Sequence, residues 1–201
     1  MRQEYVFIFD LDGTLVPKEI AKELSDQAYS KAIEYLLNEG KNFPSSLRDP
    51  RKWVEAFSLL PELKEKFDKE YERILKSYEF KEESRRVRKI FEKIEKAFPV
   101  TKVYVLSANN FSSLIIEKMG LKNDVEVISV YNKCRYKNRE DYYSSYIEAK
   151  VEEIEKIKKS FPEARIIYVG DLEEDRKIAE LSSIDFIPIE NLVHYLFEEK
   201  I

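Results

Sequence analysis

Apolar residues return along this chain in two rhythms. Short runs of β-branched and aromatic residues at 5–9, 102–107, 125–130, 165–171 and 185–189 read as strands, because such side chains suit a pleated, buried surface. Between them, apolar positions recur every three or four residues, the mark of amphipathic helices. Ile20, Leu24, Ala28, Ala32, Tyr35 and Leu36 predict one or two helices over 18–39, stopped at Gly40. A polar loop follows over 42–50. Asp49 then serves as a cap and Pro50 as a first helical residue, with Trp53, Phe57 and Leu60 along one face. Pro61 opens a helix carrying Leu63, Phe67, Tyr71, Ile74 and Leu75, and a further helix over 84–98 carries Val87, Ile90, Phe91 and Ile94. Later helices span 111–119, 173–181 and 191–199. Ser144 or Ser145 caps another that runs to about Ser160 with Ile147, Val151, Ile154 and Ile157 inward. The stretch 132–143 is polar, basic and aromatic, and reads as a loop with room for a short hairpin.

Strands alternating with helices predict an α/β fold, a Rossmann-like parallel sheet flanked by helices. Ligands of such sheets bind beyond the carboxyl ends of the strands. An all-helical stretch over 17–83 interrupts this alternation just after the first strand, so 1–16 and 84–201 are expected to form the α/β core and 17–83 an insertion.

Composition narrows the class. The 201 residues are long enough for one sizeable core or one core with a small accessory domain, and at 43% hydrophobic and 37% charged they fit a packed globular chain. A net charge of −4 gives no overall pull toward nucleic acid or anionic membranes. No apolar run reaches the length of a membrane span, and no signal peptide precedes the first strand, so the expected location is cytoplasmic. Abundant Lys and Glu with only two glutamines, Gln3 and Gln27, follow the pattern of proteins from thermophiles. The single cysteine, Cys134, rules out an intramolecular disulfide or a cysteine-rich metal site, and reads as an incidental thiol.

Candidate chemistry concentrates where the first strand ends, at Asp10-Leu11-Asp12-Gly13-Thr14-Leu15-Val16. Two carboxylates two positions apart face the same way on a continuing strand. Like charges that close repel, and a bound cation keeps both ionised. Gly13 permits a turn that a side chain would block. Two later strands also end in polar residues: Ser107-Ala108-Asn109, and Gly170-Asp171-Leu172-Glu173-Glu174-Asp175. Read alone, Ser107 is a helix cap or an anion contact, and Asp171 is a cap before an acidic first turn or a metal ligand.

Together these segments resemble the haloacid dehalogenase-like (HAD) hydrolases. Residues 10–16 match the first motif, Asp-x-Asp-Gly-Thr-Leu/Val. Ser107 matches the second, and 170–175 the fourth, Gly-Asp-x-x-x-Asp. The third motif is a lysine; Lys150 precedes Asp171 at a spacing similar to that in the phosphoserine-phosphatase-like branch, with Lys137, Lys156, Lys158 and Lys159 as rivals. The resemblance implies a Mg²⁺-dependent phosphatase that hydrolyses a small phosphorylated metabolite. In it Asp10 is the nucleophile and forms an aspartyl-phosphate, Asp12 is the acid and base, and Lys150 neutralises charge. Ser107 with the amides of Ala108 and Asn109 holds phosphate oxygens. Asp10, Asp12 (through its carbonyl), Asp171 and Asp175 hold the metal, with Asp175 bound directly or through water, or orienting Lys150. The insertion becomes a helical cap that shapes specificity; Arg48, Arg51 and Trp53 in it, and Arg85 and Arg86 just after it, are substrate contacts or surface residues. A phosphomutase would use the same residues. A non-catalytic phosphate-dependent regulatory protein is the alternative from another class, against which the complete residue set argues. Receiver domains also phosphorylate a strand-end Asp, but their acidic pair lies elsewhere and they lack the insertion.

Overall fold

The computed structural model describes residues 3–198. Strand β1 (Tyr5–Phe9) lies at the centre of a parallel sheet with β2 (Val100–Ser107), β3 (Glu126–Ser129), β4 (Arg165–Gly170) and β5 (Asp185–Pro188), in the order β3-β2-β1-β4-β5. β1 pairs with β2 on one side and β4 on the other, with Phe9 opposite both Val105 and Val169. A strand paired on both edges and covered on both faces is apolar throughout, and Val6 to Phe9 are fully buried. Strand alternation sends Phe7 and Phe9 to one face, against α4 (Lys81–Ala97), α5 (Ser112–Lys118) and α8 (Ile189–Glu198). Val6 and Ile8 face the other way, against α6 (Arg139–Ser160) and α7 (Glu173–Leu181). The expected α/β architecture is the observed one.

Between β1 and α4 run α1 (Lys18–Asn38), α2 (Trp53–Leu59) and α3 (Pro61–Ser77). The 18–39 segment is a single helix, after which Gly40 takes φ +76°. Asp49 caps the short turn Pro50–Lys52, accepting a hydrogen bond from the Arg51 amide at 3.0 Å. These helices share an apolar cluster of their own, including Tyr29, Leu36, Phe57 and Leu63. Phe67 packs against this cluster, while Tyr71 and Leu75 pack into the cluster on the sheet.

Two expectations fail near residue 138. The 132–143 stretch is no hairpin: a one-turn helix at Tyr131–Lys133 leads through Cys134 into α6, which begins at Arg139. The cap is Asn138, not Ser144 or Ser145; its side chain accepts from the Asp141 amide at 2.8 Å. Glu140 and Asp141 then suit the positive end of the helix dipole. Helix α8 starts at Ile189, two residues earlier than read, and the expected end at Glu199 lies outside the described residues. No helix among the described residues is long and apolar enough to cross a membrane.

Candidate active site

Three loops meet beyond the carboxyl ends of β1, β2 and β4, where the strand order places the switch point between β1 and β4. The first loop is a tight turn. The Leu11 carbonyl accepts from the amides of Thr14 (3.3 Å), Leu15 (2.9 Å) and Val16 (2.9 Å). Buried Leu11, Leu15 and Val16 anchor it. Gly13 sits at φ +90°, and a Cβ there would collide with the Asp171 carboxylate, so the first and third loops touch. From α4, Arg86 donates to the carbonyls of Thr14 (2.9 Å) and Leu15 (2.8 Å), fixing the turn from behind.

Lys150 is the organising cation. It is fully buried on α6, and its Nζ donates to Asp10 Oδ1 at 2.6 Å and to the Tyr168 hydroxyl at 2.8 Å. Asp175 Oδ1 lies 3.6 Å away. Asp175 is also fully buried: its Oδ1 accepts from Tyr168 (3.3 Å) and Tyr146 (3.4 Å), and its Oδ2 from the amides of Asp171 and Leu172 at 3.2 Å each. Asp12 is held from the side, its Oδ2 accepting from Asn109 Nδ2 at 3.1 Å. The same Nδ2 reaches the Tyr71 hydroxyl at 3.3 Å.

Carboxylate oxygens of Asp10, Asp171 and Asp175 lie within 4.8 Å of one another. Asp171 Oδ1 is buried without a hydrogen-bond partner. A buried carboxylate oxygen left unpaired beside two other carboxylates costs free energy unless a cation joins it. The triad therefore suits a metal ion, and its hard oxygen donors suit a hard one. The Asp12 carboxylate is not part of this triad.

The electrostatics agree. Burial lifts Asp10 to about 7, against the pull of Lys150 and with the push of Asp175 and Asp12. Burial also raises Asp12, against the Asn109 hydrogen bond, and raises Asp171, helped by Asp175. Burial opposes the charge on Lys150, but Asp10, Tyr168 and Asp175 outweigh it and hold the ammonium well above its ordinary range. With all four carboxylates ionised, one ammonium would leave excess negative charge, which a further cation would offset.

Asp10, Asp12, Lys150, Asp171 and Asp175 thus come together at the strand ends, with Ser107, Ala108 and Asn109 beside them. The Ser107 hydroxyl is buried and accepts from the Asn109 amide at 3.0 Å, so that amide points to Ser107 here. Of the rival lysines, Lys137 and Lys159 are exposed, Lys156 pairs with Glu152 and Glu153, and Lys158 with Glu155. Of the candidates in and just after the insertion, Trp53 lines the site, Arg86 supports the first turn and Arg51 pairs with Asp49, while Arg48 and Arg85 are exposed. The sequence reading missed Tyr146, Tyr168 and the Asn109 side chain. Two signals pointed to the tyrosines. Tyr146 lies one helical turn before Lys150, and Tyr168 shares a strand face with Ile166, the face that α6 covers.

A cavity of about 380 Å³ opens from Asp10, Asp12 and Asp171 toward α1, α2 and α3. Eleven of its lining residues are aromatic. No protein-family model matches the chain, and no curated protein matches it in sequence. Among solved structures, the fold is similar to one described as a hydrolase from Streptococcus pneumoniae TIGR4, at 20% identity and a TM-score of 0.52. The match covers 97% of this chain and 98% of that one. At that identity the likeness concerns the fold.

Proposed function

We propose that this chain is a Mg²⁺-dependent phosphatase of the HAD type, hydrolysing a small phosphorylated metabolite through an aspartyl-phosphate on Asp10. The supporting observation is the contact of Lys150 Nζ with Asp10 Oδ1 at 2.6 Å inside the Asp10–Asp171–Asp175 cluster. It sets a candidate nucleophile beside its counter-cation and a candidate metal shell. In this reading 1–16 with 84–201 form the core domain and 17–83 the cap, in a cytoplasmic protein.

Asp10, Asp171 and Asp175 would hold the ion, with the Asp12 carbonyl as a further ligand. When bound, Mg²⁺ supplies the positive charge that lets a carboxylate meet a phosphate dianion. Lys150 orients the Asp10 carboxylate and offsets its charge as a point cation. Asp10 attacks phosphorus and the ester P–O bond breaks. Asp12, kept protonated to higher pH by burial, gives its proton to the leaving oxygen. The Asp12 carboxylate then takes a proton from water as that water attacks phosphorus, and the bond to Asp10 breaks to release phosphate. Ser107 and the Ala108 amide would hold the non-bridging oxygens. The helices over the cavity would limit access of bulk water.

The test is hydrolysis of an aryl phosphate by wild type and Asp10→Asn, with and without Mg²⁺. Turnover that needs Mg²⁺ and is lost in the variant is the expected result. Unchanged turnover in Asp10→Asn would sink the mechanism.

A further inference from the structure

We propose that the cavity above the carboxylates selects phosphate monoesters of a planar aromatic ring that carries no second anionic group. This inference rests on the phosphatase reading and names the substrate class of that same site.

One side of the cavity carries a run of rings in contact with one another. Tyr71 meets Phe67 nearly face to face at 5.5 Å, Phe67 meets Phe57 at 5.3 Å, and Phe57 meets Trp53 edge-on at 5.5 Å. Trp53 meets Tyr142 at 4.8 Å, and Tyr142 stacks on Tyr146 at 6.3 Å. Tyr146 in turn lies over the Lys150 ammonium, 4.6 Å from the ring centre. The rings therefore lead from the helical insertion down to the ammonium beside Asp10. They come from both α2–α3 and α6, so a guest between them would touch both sides of the cleft. Ring faces and edges bind other rings through quadrupole and dispersion forces, and they exclude water without ordering long side chains.

The polar groups of the wall argue the same way. The hydroxyls of Tyr29, Tyr71, Tyr131 and Tyr146 are each engaged with protein groups: the Leu47 carbonyl, Asn109, Asp68 and Asp175. Asp68 is also paired with Lys64 at 3.2 Å. No arginine lines the cavity among the described residues, and of its two lysines Lys22 is paired with Asp26. Those four hydroxyls are already committed and offer a sugar little. A second phosphate or carboxylate would find only Lys18 at the rim. The volume of about 380 Å³ is near the lower bound for small-molecule pockets, enough for a phosphate and one ring or fused pair.

The test compares benzyl phosphate, cyclohexylmethyl phosphate and glycerol 3-phosphate with Mg²⁺. All three release a primary alcohol, so leaving-group chemistry is matched and recognition decides. Benzyl phosphate should exceed glycerol 3-phosphate by about 100-fold in kcat/KM, with cyclohexylmethyl phosphate between. Phe67→Leu, which keeps the site apolar, should lower the benzyl-to-cyclohexylmethyl ratio by about 10-fold. Trp53 is the single tryptophan and lines the cavity, so its fluorescence reads occupancy without turnover. Benzylphosphonic acid should change it saturably, and methylphosphonic acid should not. Turnover of all three esters within threefold of one another would overturn the ring preference and leave the phosphatase standing. No turnover, with the Trp53 response confined to benzylphosphonic acid, would support the ring pocket and remove the phosphatase. Neither turnover nor response would overturn both.

Discussion

Lys150 has no contact with solvent, and Asp10 and Asp175 are the carboxylates within 4 Å of its ammonium. Removing one member of a buried ion pair costs about 3–5 kcal/mol, because the partner charge stays behind. Lys150→Met should therefore destabilise the metal-free protein. Its cost should also depend on pH. Without the ammonium, Asp10 is free to relieve its burial by taking a proton, which is easier at low pH. The difference in unfolding free energy between wild type and Lys150→Met should be smaller at pH 5 than at pH 8, as read from urea titrations at both. A cost independent of pH would mean that Asp10 does not answer to Lys150. The pairing was legible only in part from sequence. Spacing favoured Lys150 among five lysines; what separates it from the rest is burial among Tyr146, Tyr168 and two carboxylates, which spacing does not report.

Helix α6 does more than connect β3 to β4. Its first turns carry Tyr142 and Tyr146 to the cavity and Lys150 to Asp10, so the position of its start fixes all three. Asn138 sets that start, through its hydrogen bond to the Asp141 amide. Asn138→Ala should cost about 1 kcal/mol of stability, the usual worth of an N-cap. Chemical denaturation checks this, and Ser144→Ala, at the position the periodicity favoured, should change stability far less. The reason for the early start is physical. Residues 139–146 carry no aliphatic residue to mark a core face; Tyr142 and Tyr146 line the cavity while also packing on the core cluster beneath. Periodicity reports packing of aliphatic residues against a core, so it found α6 only from Ser144 or Ser145 onward, where Ile147, Val151, Ile154 and Ile157 pack toward the sheet.

At the scale of the whole molecule, the fold concentrates acidic groups in one place. The unfolded chain releases the protons of Asp10, Asp12 and Asp171 near pH 4. The folded chain holds them to higher pH, for Asp10 to about 7. Within that window the unfolded state binds fewer protons, so metal-free stability falls as pH rises. Lys150, raised as well, keeps its contribution throughout that window, since it is lost only above the usual lysine range. A divalent ion takes the ionised carboxylates, so its stabilisation grows over the same window. At about 100 times its dissociation constant, Mg²⁺ should raise the midpoint of thermal unfolding by roughly 5–10 °C at pH 8, and by less at pH 5. Calorimetry with Mg²⁺ and with chelator at both pH values is the measurement. An equal shift at both, or none, would remove the metal site.

The sequence by itself determined the order of strands and helices and the polar residues that end β1, β2 and β4. Those features are local: they follow from alternation, helical spacing, and glycine at a turn that bends at φ +90°. Tertiary structure alone decided which distant residues meet. The order β3-β2-β1-β4-β5 sets the ends of β1 and β4 side by side, so that Gly13 lies against Asp171 and α6 brings Lys150 to Asp10. It also decided that rings from the insertion and from α6 face a common cavity. An aromatic at helical spacing has the same local signature whether it fills a core or lines a pocket. Only the packing of the elements around it leaves the space that makes it a wall.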